Sequence, residues 1–510
     1  VSSVDAPANA AERRLHPWSW LFVLLQQIRQ FVVPLVVLVV AGRRNSNIWA
    51  DIGPLIGVGA LVVISMVQYF TYRYRIGSDA IVIRNGLLQR SQREIPFTRI
   101  HNVALHQSLL HRIFKVAEVR LEAAGGEKPE AQMRVLGMDD ALALERLVRH
   151  RANAPVAAAT APGGTAPAPT QDEEADEVLL ALPVSEVVRL GLISNRGMIV
   201  IAAAFGLMWQ LFPDERWMAR LAQDSFQQAA GYASTLHLGW TGYLALASTL
   251  LGVFVVLVRV LSVALAMTQY YGFRLTEAGR RLTVERGLFA RMRSSVAPRR
   301  IQAWHLQETL LHRWFKRRTL RIDTATGGRH DDPRKLRELA PIATPEACDA
   351  LAARLLPEGT WPPPQWQSLP RRAWWRLFAG AAPWTLLIAG GLAWKFGPGG
   401  LLVLLWLPWQ AYAAWRQAGR MGYSVDASLV AVRGGWWSRW WRFAEIDKVQ
   451  ALRLRRSPLD RWLGTATLAL DTAGAGNMSP PLQIRFLPEA DARALHARLG
   501  RALATRPLRW

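Results

Sequence analysis

The sequence predicts a membrane protein of mixed α and β structure made of three repeats, each a transmembrane helical hairpin followed by a basic cytoplasmic β-barrel or sandwich capped by a C-terminal helix. Three observations lead there: apolar segments that come in pairs, basic charge segregated away from them, and internal similarity at fixed spacing. At 510 residues the chain is too long for one core. It is 51% hydrophobic, yet 62 Lys and Arg stand against 38 Asp and Glu, a formal charge of +24. Basic surface on that scale faces either nucleic acid or an anionic leaflet, and its place beside hydrophobic hairpins argues for the leaflet. A single cysteine, Cys348, excludes an intrachain disulfide framework and a multi-thiolate metal site, and reads as a packed apolar residue. Val1–Glu12 is polar, with no apolar run ending in a cleavage site, so the first apolar segment is expected to stay in the protein.

The apolar pairs are Leu21–Ala41 with Ile48–Tyr69, Gly197–Phe212 with Leu246–Met267, and Ala379–Trp394 with Gly400–Trp415. Crossing the hydrocarbon takes roughly 20 residues, so the short third and fifth segments must borrow flanking residues. Arg29 and Arg259 fall in or beside spans; each reads as a snorkelling or internally paired arginine, with an ion pathway as the alternative. Connections within pairs are short or nearly neutral, whereas the segments after each pair are strongly basic. Positive charge stays inside, which puts the N-terminus and all three modules in the cytoplasm of a multi-pass protein of the bacterial inner membrane. Ahead of each hairpin runs a proline-led segment, starting at His16, Leu182 and Leu369, that reads either as an interfacial helix or as the cytoplasmic end of the span.

The resulting division is 16–70 for the interfacial segment and first hairpin, 71–151 for module one, and 152–178 for a flexible Ala/Pro/Gly-rich linker. It continues with 179–268 for the second segment and hairpin, 269–357 for module two, 358–416 for a linker and third hairpin, and 417–503 for module three.

The repeat is direct. YRYRIGSDAIVIRNGLLQR from Tyr72 falls on FRLTEAGRRLTVERGLFAR from Phe273 at a shift of 201 residues, and on MGYSVDASLVAVRGGWWSR from Met421 at 349. Ile81 and Ile83, Leu282 and Val284, Val430 and Val432 alternate as a half-buried strand that ends at Gly86, Gly287 and Gly435. The same shifts align IPFTRIHNVALHQSLLHRIFK from Ile95 with VAPRRIQAWHLQETLLHRWFK from Val296 and AEIDKVQALRLRRSPLDRWLG from Ala444, predicting further strands and a compact turn. A helix closes each copy, near Asp139–Arg149, Pro345–Leu355 and Glu489–Leu499; Thr344 before Pro345 is a good N-cap.

In these glycine turns, the I-P-x-x-R-I strand entry and the LLHR-I/W-F-K turns, the sequence resembles the bacterial pleckstrin-homology-like (PH-like) membrane proteins of the second class, notably the long YdbT-like members with three modules. The resemblance covers nearly all of the chain from His16, with copy three departing most, where Asp460 replaces His111 and His312. It implies PH-like modules, membrane anchorage and no established catalytic activity, and it supplies no ligand.

His101, His106 and His111 lack the spacing and acidic or thiolate companions of a zinc site and read as turn and surface histidines. Asp139/Asp140 and Asp331/Asp332 read as helix starts and solvated loops, and no nucleophile, metal-protease or phosphate-loop motif accompanies them, so no enzyme and no cofactor is expected. The informative residues are basic, lying beside juxtamembrane aromatics in copies one and three and forming the densest basic surface in copy two. They are Arg73 and Arg75; Arg280, Arg281, Arg286, Arg291, Arg293, Arg299 and Arg300; Arg439 and Arg442. Each suits an anionic surface, with ordinary positive-inside anchoring or a solvated strand face as the simpler explanation. The expected function is scaffolding or binding of anionic lipid or protein at the inner leaflet. A regulatory or structural subunit of a transporter or channel is the alternative. Lipid headgroups, a sibling membrane protein or an edge-added peptide strand are the partners to expect, homo-oligomers are compatible, and nucleic acid is not expected.

Overall fold

The computed structural model describes residues 13–14, 16–25, 48–77, 80–86, 90–97, 100–123, 131–153, 177–211, 239–278, 281–324, 336–356, 358–370, 373–474 and 480–505, with short pieces between 223 and 231. Arg29 and most of the first apolar segment, linker residues 154–176, most of the second hairpin's loop, Arg280 and Asp331/Asp332 lie outside the described residues.

Each module holds two antiparallel three-stranded meanders. The first is β2 (Arg73–Ile76), β3 (Ala80–Asn85) and β4 (Ser91–Pro96) in module one. Its counterparts are β9 (Arg274–Ala278), β10 (Arg281–Arg286) and β11 (Arg291–Val296), then β16 (Gly422–Val425), β17 (Leu429–Gly434) and β18 (Arg439–Glu445). The predicted turn glycines carry φ of 101°, 116° and 77° at Gly86, Gly287 and Gly435. A Cβ at Gly287 would lie 1.9 Å from the Ala290 carbonyl oxygen, and at Gly435 1.9 Å from that of Ser438, so glycine is required. The second meander is β5 (Ile100–Gln107), β6 (Val116–Ala123) and β7 (Ala131–Gly137); then β12 (Ile301–Glu308), β13 (Arg318–Thr324) and β14 (Glu338–Ala343); then β19 (Val449–Arg455), β20 (Thr465–Thr472) and β21 (Gln483–Pro488). A short strand ahead of each membrane segment returns to the outer edge of the first meander: β1 (Arg13–Arg14) on β2, β8 (Glu177–Ala181) on β9, and β15 (Gln367–Ser368) on β16.

The two meanders of a module face each other across its core rather than pairing edge to edge. Ile81, Ile83 and Ile95 meet Val103, Leu105, Val119 and Leu121 in module one. Pairing instead crosses the module boundaries. β5 pairs with β11, and β12 with β18, making two seven-stranded sheets, β7-β6-β5-β11-β10-β9-β8 and β14-β13-β12-β18-β17-β16-β15. Among the described residues, a four-stranded sheet, β1-β2-β3-β4, and a three-stranded sheet, β19-β20-β21, complete the set. Module two's core thus includes Leu429, Ala431 and Phe443 from the sequence of its successor, and Trp361 from the segment between them.

Between the first two strands of each second meander sits a short helix: Leu109–Ile113, Leu310–Trp314 and Pro458–Leu463. His111, His312 and Asp460 are each the third residue of their helix, in equivalent positions, and each closes onto the hydroxyl ahead of the helix. His111 Nδ1 lies 2.6 Å from Ser108 Oγ and His312 Nδ1 2.8 Å from Thr309 Oγ1, while the Asp460 carboxylate accepts from Ser457 Oγ at 2.7 Å. These are turn residues as expected, but they are buried rather than on the surface, because the cap bond satisfies them inside. The residue that ends the motif, Lys115, Lys316 or Gly464, is left-handed in all three copies, with φ of 52°, 50° and 65°. Helices Met138–Asn153, Pro345–Leu355 and Glu489–Thr505 follow the second meanders, and Cys348 is wholly buried in the second of them.

Among the described residues, two stretches are long and apolar enough to cross a membrane, Trp240–Tyr270 and 373–418. The latter folds back at a 3₁₀ turn, Gly397–Leu405, and Gln410 Nε2 donates to Thr385 Oγ1 at 2.7 Å between its arms. A third candidate is the pair Val184–Ile193 and Arg196–Met208, bent by 58°. Here the proline-led segment is a separate helix, whereas in copy three its counterpart runs straight into Ala373–Phe396. The bend is held by Arg259, whose Nη1 donates to the carbonyls of Leu192 (3.0 Å) and Ser194 (3.1 Å), oxygens that a helix end leaves unpaired.

Candidate anion-binding site

The predicted basic residues separate into two sets. Arg73 is exposed on β2 between Arg14 and Arg84, and Arg75 is half-buried opposite Val82. Arg291 and Arg299 are exposed. Arg300 is half-buried, and burial, then Arg299 and Arg281, lower its pKa to about 10. The other described ones point inward or into ion pairs. Arg281 is buried, Arg293 lies 3.2 Å from Glu285 and 3.5 Å from Glu145, and Arg439 lies 3.8 Å from Glu308.

Arg286 and Arg442 correct the reading of a juxtamembrane surface. Arg286 is 10% exposed and 3.6 Å from Glu338. Arg442 is 1% exposed and 2.5 Å from Asp323 of β13. The alternation of RWWRFAE puts Arg442 outside on an isolated strand, but pairing of β18 with β12 turns that face into a junction, where a charge needs a carboxylate partner.

Where a span enters a module, modules two and three differ in a way that produces a cavity. In module two Glu338 gathers Arg321 (3.2 Å), Arg286 (3.6 Å) and Arg196 (4.0 Å) and accepts from the Tyr270 hydroxyl. The Arg196 and Arg286 guanidinium groups lie 5.0 and 5.2 Å from the Tyr270 ring centre. Burial opposes ionisation of Glu338, yet the arginines and the Tyr270 hydroxyl hold its pKa below the usual value. Space beside Arg286 and Glu338 is only about 10 Å³.

At the repeat positions of Tyr270, Arg286 and Arg321, module three has Ala418, Gly434 and Ala469. Gln483 pairs with Ala469 as Glu338 pairs with Arg321, so Gln483 takes the place of the glutamate. Losing the large side chains leaves a cavity of about 230 Å³, bounded by Leu377 and Gln417 from the membrane helices and by Trp440, Arg433 and Arg485 from the module. Arg433 lies 4.7 Å over the Trp366 ring and Arg485 donates to the Gln483 amide oxygen. Neither is ion-paired with a carboxylate among the described residues, and Arg433 Nε is shut from solvent with no hydrogen-bond partner there. Burial lowers the pKa of both. Nearby, burial and then Arg439 push Arg420 down to about 10, with Arg433 and Arg313 adding to the effect and Glu308 opposing it. An anion placed here would relieve this concentration of positive charge.

Aromatic residues fix the site at the end of the span. Trp436, at the Gly435 turn, packs on Trp409 (5.8 Å) and Tyr412 (5.5 Å), while Arg376 at the base of the other arm pairs with Asp460 of the module at 2.9 Å. Sequence reading missed Arg433 and Arg485. Position-by-position comparison of copies two and three, which exchanges Arg286 for Gly434, is the signal that would have pointed there.

The bacterial PH domain family model matches the chain three times, over residues 21–152, 230–355 and 378–503. The chain belongs to the bacterial PH domain family. As a bacterial PH protein it is also 23% identical to the transmembrane protein YdbT of Bacillus subtilis (strain 168), over 94% of this chain and 96% of that relative. It is a membrane protein with internally repeated bacterial PH domains. No solved structure matches it.

Proposed function

We propose that this is a non-enzymatic protein of the bacterial inner membrane whose three hairpins anchor three cytoplasmic PH-like modules, and that module three binds the anionic headgroup of a membrane lipid. The observation that carries the proposal is the cavity of about 230 Å³ at the span–module boundary, holding Arg433 and Arg485 where module two has a neutralised cluster. Its volume is below the roughly 300–1,000 Å³ of drug-sized pockets, which suits a phosphate-bearing headgroup whose acyl chains remain in the bilayer. Charge asymmetry supports the cytoplasmic orientation. Pairing of Arg259 with helix-end carbonyls favours anchorage over a transport role for the helices.

The test is lipid retention by the purified full chain in detergent, read by native mass spectrometry with phosphatidylglycerol against phosphatidylcholine. Replacing both arginines with glutamine (Arg433→Gln, Arg485→Gln) should weaken phosphatidylglycerol retention about tenfold or more, the worth of one charge-assisted contact. Refilling the cavity as in module two, with Gly434→Arg and Gln483→Glu together, should do the same. Equal retention of the two lipids, or no response to either pair of substitutions, would refute the proposal.

A further inference from the structure

The two module junctions are built in one register. In the second, Glu308 faces Arg439, Gln307 faces Trp440 and Leu306 faces Trp441. In the first, Gln107 faces Arg291, His106 faces Met292 and Leu105 faces Arg293. These are the same repeat positions, so a second meander accepts the next module's first meander in a single defined way. β19 is the corresponding acceptor of module three, since Leu454 pairs with Leu468 as Leu306 pairs with Leu320 and Leu105 with Val119. Among the described residues, β19 has β20 on one side and no strand on the other.

Its side chains carry the mark of that open edge. The inward pairs Val103 and Leu105, and Trp304 and Leu306, are at most 4% exposed, whereas Leu452 and Leu454 are only half-buried. Facing outward are Arg453 and Arg455, exposed and with no carboxylate partner among the described residues. The complementary edge of a second copy would be β4. In the junction register it would set its Arg93 against Arg453, where like charges facing each other oppose pairing, and its Arg90 against Arg456, whose charge Glu489 already balances at 2.7 Å. The internal junction solves this with Glu308 against Arg439.

We propose that the free edge of β19 is a docking site for an acidic β-strand supplied by a different protein, added antiparallel in the register of the internal junctions, and that charge excludes a second copy of this chain from it. The strand carries an acidic residue opposite Arg453, and its inward positions cover Leu452 and Leu454.

The decisive experiment uses the full chain in detergent and makes its own β4 the probe. The unaltered chain should be monomeric by light scattering. Arg90→Glu with Arg93→Glu should convert it to head-to-tail oligomers, with association about tenfold tighter or more. Arg453→Glu should do so from the other side, and combining Arg93→Glu with Arg453→Glu should restore the monomer. A synthetic peptide of residues 90–96 with both arginines replaced by glutamate should bind the unaltered chain and bind the Arg453→Glu chain about tenfold less well, which tests the edge even where a β4 variant fails to fold. Edge-mediated oligomers of the unaltered chain, or variants and peptide that show no dependence on charge, would overturn the proposal.

Discussion

His305 stands between Arg442 on one neighbouring strand and Arg321 on the other, 4% exposed, with neither ring nitrogen hydrogen-bonded among the described residues. Burial, then Arg442 and Arg321, push its pKa down to about 3; burial and then Arg321 push that of His312 to about 4. The unfolded chain therefore binds protons that the folded chain refuses, from about 6.5 down to these values. Stability is full above pH 6.5 and falls below it, by about 1.4 kcal/mol per pH unit for each histidine until the folded value is reached. Thermal unfolding in detergent should drop between pH 7 and pH 5, and His305→Gln should remove roughly half of that drop. A variant as acid-sensitive as the parent would show that these histidines do not carry it. The identity of these residues was legible and their surroundings were not: alternation told which face His305 and Arg442 occupy, but not that two modules close over it.

Period-two alternation and the glycine turns made the strands readable, but the half-buried expectation fails for β10 and β17, which are buried on both faces over four consecutive residues. A strand's partner is another matter. Alternation is satisfied equally by any neighbour, so β5 with β11 and β12 with β18 could not be foreseen from it. The membrane helices show the same limit. The break between Ile193 and Arg196 depends on Arg259, distant in sequence, and on close contact at Gly197, whose added Cβ would lie 2.3 Å from the Val258 carbonyl oxygen. Ser262 Oγ accepts from the Gly197 amide at 2.8 Å in the same crossing. Gly197→Val should cost about 1–3 kcal/mol and lower the unfolding temperature in detergent, while Gly206→Val, with open space around it, should not. Equal effects from the two would place the helix crossing elsewhere.

The cavity of module three was illegible for a reason that belongs to the whole array: it is defined by what module three lacks relative to module two. Arg433 and Arg485 look ordinary in sequence, and become a site only because Ala418, Gly434, Ala469 and Gln483 stand where a ring and three charges fill the neighbouring copy. The array also predicts its own robustness. A protease site placed within 154–176 should leave two fragments that still co-elute in detergent, joined by the β5–β11 pairs, the Arg293–Glu145 contact and the Arg112 bond to the Leu288 carbonyl at 3.0 Å. This junction has three register pairs against five in the second, so the fragments should separate in urea before either unfolds. Separation on cleavage alone would mean that the linker, not the sheet, holds module one in place.

Sharing sheets across module boundaries also sets an order of events on the ribosome. Module two cannot finish its core until Leu429, Ala431 and Phe443 have been synthesised, well after its own last helix ends at Leu355. Module one draws its core from its own residues, but its β5 edge stays open until β11 has been made. Growth of the chain and completion of its domains therefore run out of step by half a unit, and each nascent module presents an open strand edge until its successor emerges to close it.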